Sequence, residues 1–175
     1  ERLAGQLEET GTAVVDGGTD SGVMRLIGEA RAARSATFRL VGVVPRGALD
    51  RTTRDGTPID VAPGHEIVLV PGESFGDESA WLFAAADHLA GGDAPTIVVN
   101  GGRLTLDEAE DRLAGRHLGV VVGGSGRAAD ALAADRRATL DDRLRVLPVT
   151  AGTEEIAAAL GDVHHDADGG RERQP

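Results

Sequence analysis

Cysteine is absent from the 175 residues, so disulfides, cysteine-based zinc sites and thiol nucleophiles are excluded. Tyrosine is absent too, and three Phe and one Trp hold aromatics to 2%. The core must therefore come from Ala, Val, Leu and Ile, and stacking platforms for single-stranded nucleic acid are excluded. No apolar run approaches the ~20 residues that a membrane helix requires, and no signal-peptide pattern is visible. The expected location is cytoplasmic, with no direct membrane contact. Basic residues are few and scattered against a formal net charge of −11. That balance argues against nucleic acid as a partner. A small anion is a different case, because local backbone amides can hold it against an unfavourable overall field.

What the chain does have is a repeated pattern: a short apolar run, a glycine-containing turn, then an amphipathic stretch. Ala13-Val14-Val15 leads through 16–22 into a helix with Val23, Leu26, Ile27 and Ala30 on its predicted inner face. Phe38–Val44 reads as a second strand stopped by Pro45, and 50–64 as an irregular excursion or loose hairpin. Glu66–Val70 is the third strand, followed by a helix over 77–89 with Leu82, Ala85, Ala86 and Leu89 inward and Trp81 taken as packing. Thr96–Val99 and Leu118–Val122 are the fourth and fifth strands, their helices spanning about 105–114 and ending near Arg136. Leu144–Val149 is a sixth strand, and Thr153 caps a helix ending near Leu160. The polar tail 163–175 is expected to be disordered.

Apolar strands alternating with helices imply a mainly parallel sheet covered on both faces, a Rossmann-like three-layer α/β/α domain over 1–162. In such folds the strand-to-helix loops share the carboxyl edge of the sheet, where ligands sit. Four loops there are rich in glycine and small polar residues: 16–22, 71–77, 100–102 and 123–127. Paired glycines ahead of a helix let backbone N–H groups approach an anion, and the helix dipole adds about half a positive charge there. Arg127 follows Gly-Ser-Gly and has the reach for a bidentate grip on pyrophosphate.

Gly72-Glu73-Ser74-Phe75-Gly76 also fits the G-x-S-x-G elbow of a serine hydrolase. Its base would have to come from His88, within a helix, from His117, ahead of its strand, or from the tail pair His164-His165. None is well placed. His65, before the third strand, reads as structural. No two histidines share a helix face at metal-ligand spacing, so no metal is expected.

The segments DGGTDSGVMRLIGEA (16–30), LVGVVP (40–45), LVPGESFGDESAWL (69–82), VVNGG (98–102) and VVVGGSGRAADALA (120–133) resemble the LSDAT domain. This SLOG-superfamily module is found in bacteria and at the cytosolic N-terminus of melastatin-type TRP channels. The resemblance implies a nucleotide-binding sensor or regulatory domain for an ADP-ribose- or NAD-related ligand, with no cofactor required; the Ala-rich helices suit a homodimer or core packing equally. It carries the ligand-facing role to Gly17, Gly18, Thr19, Gly22, Val23 and Met24 in the first loop. In the second loop it implies Gly72, Glu73, Gly76 and Glu78, and beyond them Asn100, Gly101, Gly124, Ser125, Gly126 and Arg127. Such domains open with a strand ending in a glycine loop, and nothing before Ala13 supplies it, so a trimmed N-terminus or an incomplete site is expected. The alternative is an enzyme cleaving a nucleotide's glycosidic bond, like the LOG phosphoribohydrolases, using Glu73 or Glu78. Their PGGxGTxxE loop is replaced here by PGESFGDES, without the GT step, which tells against that activity.

Overall fold

The computed structural model describes residues 1–53, 55–115, 117–135 and 143–169, with side chains up to residue 161. The chain forms two compact units, Glu1–Leu89 and Ala90–Pro175. Each carries a three-stranded sheet in which every pairing is parallel. Strands and helices alternate as in a Rossmann-like α/β fold, as the apolar runs predict.

The first unit runs α1 (Arg2–Thr10), β1 (Val14–Asp16), α2 (Gly22–Ala33), β2 (Leu40–Pro45), a 3₁₀ turn at Arg46–Ala48, β3 (Glu66–Val70) and α3 (Ser79–Ala90). β2 lies between β1 and β3, and all six of its residues are buried, which explains why its sequence is apolar without alternation. Pro45 does not stop this strand; it is its last residue, in register with Val70. Ala4 and Leu7 of α1 pack with Ile27 and Ala30 of α2 and with Phe38 and Leu40. Burying each such Leu or Ile is worth about 1.5–3 kcal/mol.

The inner face of α2 differs from the one its periodicity predicts. Leu26 is 61% exposed and Val23 37%, whereas Ile27, Gly28 and Ala30 are buried. The reason is Gly28: a Cβ there would stand 2.1 Å from the carbonyl oxygen of Pro63. The helix therefore turns its bare backbone toward the segment before β3, and Leu26 rotates outward. In α3 no residue is buried; Trp81 is 54% exposed and Leu89 40%, so the packing role expected for both is not observed.

Glu8, near the end of α1, accepts the Thr37 and Phe38 amides at 2.6 and 2.8 Å and the Thr37 hydroxyl at 2.9 Å. Those bonds, the Thr37 amide foremost, hold its carboxyl below the ordinary glutamate value. A depressed carboxylate contributes stability above its unfolded pKa and loses it as pH falls through the folded value. Glu8→Gln is accordingly expected to lower the melting temperature at neutral pH. The gap from the parent should narrow as the buffer is taken below the ordinary glutamate range, which calorimetry across pH checks.

The second unit runs β4 (Thr96–Val99), α4 (Arg103–Ala114), β5 (Gly119–Gly123), α5 (Arg127–Ala134), β6 (Leu144–Pro148) and α6 (Thr153–Gly169). Neighbouring valines of the central strand point to opposite sides. Val121 packs with Ala109 of α4 and Ala129 and Leu132 of α5, while Val120 packs with Ala159 of α6. Both faces of β5 are thus covered. The buried Arg112 of α4 donates from Nη2 to the Ala94 carbonyl at 2.6 Å, tying the helix to the segment before β4.

α6 continues past Leu160 and covers 163–169, a stretch expected to be disordered. No glycine or proline interrupts the chain between Gly161 and Gly169, so nothing local ends the helix sooner. Positions 170–175 of that expected tail, and Arg136, lie outside the described residues. Among the described residues no helix is long and apolar enough to cross a membrane.

Candidate anion-binding edges

In the first unit, parallel register sets the carboxyl ends of β1, β2 and β3 at one edge. The loop after β1 is the most constrained. Gly18 adopts φ 60°, and a Cβ on it would meet the Gly42 Cα at 2.7 Å and Val44 Cγ2 at 2.8 Å. Its N–H donates to Asp16 Oδ1 at 2.8 Å, and its carbonyl accepts the Ala62 amide at 2.8 Å. The Asp20 amide donates to the Asp60 carbonyl at 2.8 Å, and Thr19 bridges antiparallel to Val61. The excursion over 50–64 is thus a hairpin-like brace for this loop, with a second bridge from Thr52 to Pro58.

Held in this way, the loop delivers the chain into the 12-residue helix α2. The amides of Gly22, Val23 and Met24 in its first turn have no acceptor among the described residues, and the Ser21 hydroxyl does not cap them. Buried Thr19 points its hydroxyl at Met24 Sδ, 3.8 Å away. Asp20 is engaged by Arg25 at 2.5 Å, which holds its carboxyl low and directs its charge to that guanidinium. Unpaired amides at a helix start are the standard receptor for a phosphate oxygen.

The loop after β3 is built differently. Asp77 Oδ2 accepts the amides of Glu73 and Ser74 at 2.8 and 3.0 Å, which holds the Asp77 carboxyl below its usual value. Buried Glu78 accepts the Gly76 amide at 2.7 Å. Gly72 has φ 152°, a Cβ on it would meet Asp77 Cβ at 2.6 Å, and its carbonyl accepts the Gly47 amide at 2.8 Å. Of the two carboxylates that sequence reading offered to a glycosidic bond, Glu73 and Glu78, the second is spent on the loop's own Gly76 amide. Ser74 Oγ accepts from Arg51 Nη1 at 3.0 Å, and among the described residues no imidazole is its hydrogen-bond partner.

In the second unit the loops after β4 and β5 hold one another. The Asn100 amide donates to Ser125 Oγ at 2.8 Å and its side-chain Nδ2 to the Ser125 carbonyl at 2.7 Å. In return, the carbonyls of Asn100 and Gly101 accept the Ala129 and Ala128 amides at 3.0 and 3.4 Å. Asp130 Oδ1 takes the Gly124 amide at 2.6 Å. The start of α5 is therefore occupied from within, and Gly124-Ser125-Gly126 serves to hold the loop after β4.

The start of α4 is the open one: the amides of Gly101, Arg103 and Leu104 have no acceptor among the described residues. Arg127 lies over it, its Nη2 3.1 Å from the place a Cβ of Gly102 would take. Arg127 meets no carboxylate among the described residues. It and Asn100 hold φ of 51° and 57°, left-handed backbone that non-glycine residues adopt at a cost of about 1–2 kcal/mol. Strain of this kind collects where geometry serves a function.

Sequence reasoning missed Asp16, Gly42 and Gly47, each of which shapes a loop through a partner distant in sequence. The one local signal was an aspartate placed directly before a glycine pair. His65, read as structural, reaches Asp16 Oδ2 at 3.1 Å.

Parallel strands feeding helix starts at glycine-lined carboxyl edges define a Rossmann-like α/β protein. The family model described as "SLOG in TRPM, prokaryote" matches residues 1–165, and the chain belongs to this LSDAT family. The X-ray structure of TM1055, a structural-genomics target, is similar in fold with a TM-score of 0.61. It is 19% identical, over 93% of this chain and 85% of that one. No curated protein matches the chain.

Proposed function

We propose that the chain is a binding module for a phosphorylated nucleotide of the ADP-ribose or NAD type, acting as a cytoplasmic sensor. The observation that carries this reading is the first turn of α2: three amides without an acceptor among the described residues, at the end of a loop that residues 60–62 brace from outside. Net charge disfavours a bulk polyanion, but these amides and the helix dipole offer a local positive pole suited to one phosphate group. The start of α4, with Arg127 above it, is a second anion-receiving point of the same chemistry. A role in bond cleavage has weaker support, since Glu78 is committed to the Gly76 amide.

Isothermal titration of the full chain with ADP-ribose, cyclic ADP-ribose, NAD and AMP tests the reading. Saturable heat is expected with at least one diphosphate ligand, together with shifts of the Gly22–Met24 amides in NMR spectra. Tight binding would also raise the melting temperature, because the ligand stabilises only the folded state. No heat and no shift with any of the four sinks it.

A further inference from the structure

His65 stands at the head of β3 with its side chain fully enclosed. Both ring nitrogens face oxygen: Nδ1 lies 3.0 Å from the Pro63 carbonyl and Nε2 lies 3.1 Å from Asp16 Oδ2. A carbonyl can only accept, and a neutral imidazole carries a single N–H. One of the two contacts would then set a lone pair against an oxygen. The imidazolium satisfies both, donating to Pro63 and to Asp16.

Asp16 is more than a counter-charge. Its second oxygen, Oδ1, takes the Gly18 amide, and Gly18 is the pivot of the first glycine loop. The segment carrying His65 also grips that pivot, since the Ala62 amide donates to the Gly18 carbonyl. We propose that His65 is a positioning residue for this loop: a proton on its ring, bonded to Asp16, latches 17–22 in the shape that opens the α2 amides, and loss of the proton loosens it. For its ligand this rests on the function proposed above; the latch itself does not.

The charged groups around the ring agree. From β1 comes the Asp16 carboxylate. α2 contributes Arg31, which is turned to the backbone carbonyls of Phe38 and Gly64 at 2.8 and 3.4 Å, and Gly28, which brings no side chain. Glu66, next along β3, is paired with Arg39, the residue just before β2, at 2.9 Å. Burial disfavours the charged ring, yet the hydrogen bond and charge of Asp16, with the Pro63 and Ala62 backbone, outweigh it and raise the pKa above the ordinary value.

The sign follows. A histidine with a raised folded pKa contributes stability that is complete below its unfolded value and is lost as pH rises through the folded one. Deprotonation also leaves the Asp16 charge unbalanced beside Gly17 and Gly18, where it repels an arriving phosphate.

The test is a ¹H–¹⁵N NMR titration of the full chain from about pH 5.5 to about pH 9, following the His65 ring and the Gly18 amide together. The Gly18 amide is expected to move with the His65 midpoint, above the usual histidine range, and to stay still in His65→Gln. A Gly18 amide that does not move while His65 titrates, or a His65 ring neutral throughout, overturns the latch. Should His65→Gln fail to fold, the parent titration decides alone. In parallel, ADP-ribose isotherms at the two ends of the range should differ about tenfold in affinity, weaker at high pH. Absence of ADP-ribose heat at both ends counts against the nucleotide reading, while the amide titration still decides the latch.

Discussion

Gly18→Ala lowers the melting temperature by roughly 5–15 °C, the largest stability effect expected of any single-methyl addition to the first glycine loop. Two costs add at this position. The residue sits at φ 60°, where an L-residue loses about 1–2 kcal/mol. The new methyl would also lie 2.7 Å from the Cα of Gly42, a backbone atom at the centre of β2 that cannot swing aside as a side chain would. Overpacking of this sort costs about 1–3 kcal/mol. Gly42→Ala meets the same contact from the other side, at 2.5 Å from the Gly18 Cα, and should be comparably damaging although its own φ is ordinary. Gly22→Ala separates the two terms: φ is 50° there, but nothing lies within 4 Å of the added carbon. It should show the conformational cost alone. Differential scanning calorimetry of the three variants decides; a Gly18→Ala protein no less stable than Gly22→Ala means that the two glycines do not touch.

That contact also marks where sequence reasoning stops. The β–α alternation was legible because parallel strands buried on both faces must be apolar throughout, as Leu40–Pro45 and Gly119–Gly123 are. The glycine loops were legible because a pair such as Gly17-Gly18 or Gly123-Gly124 is conspicuous between a strand and a helix. Which of them could receive an anion was not legible, since that depends on who already holds their amides. Asp77, Glu78 and Asp130 each reach back to the glycine-rich loop just before them, while Asn100 and Gly101 occupy the start of α5 from 29 and 27 positions away, at Ala129 and Ala128. Periodicity failed for Leu26 for a similar reason. Helical spacing fixes which residues share a face, but the approach of Gly28 to Pro63 chose which face turns inward.

Arg127→Gly is expected to separate stability from binding. At φ 51° the arginine is strained, and glycine removes that strain, so the melting temperature should hold or rise by a few degrees. Affinity for ADP-ribose should fall about 10–100-fold, the loss that accompanies removal of a charge-assisted hydrogen bond worth about 1.5–3 kcal/mol. Among the described residues the guanidinium has no carboxylate to neutralise it, and it lies over Gly102 at the start of α4, where the amides of Arg103 and Leu104 have no acceptor. An arginine kept in an unfavourable conformation, with no ion-pair partner among the described residues, contributes little to folding. Its placement makes sense when an anion completes the site. Arg127→Lys keeps the charge but loses the planar fork, and should bind between the parent and the glycine variant. The decisive pair of measurements is a melting curve and an isotherm on the same sample. If Arg127→Gly loses stability and keeps its affinity, the arginine is a structural residue, and the start of α4 is not where a phosphate is held.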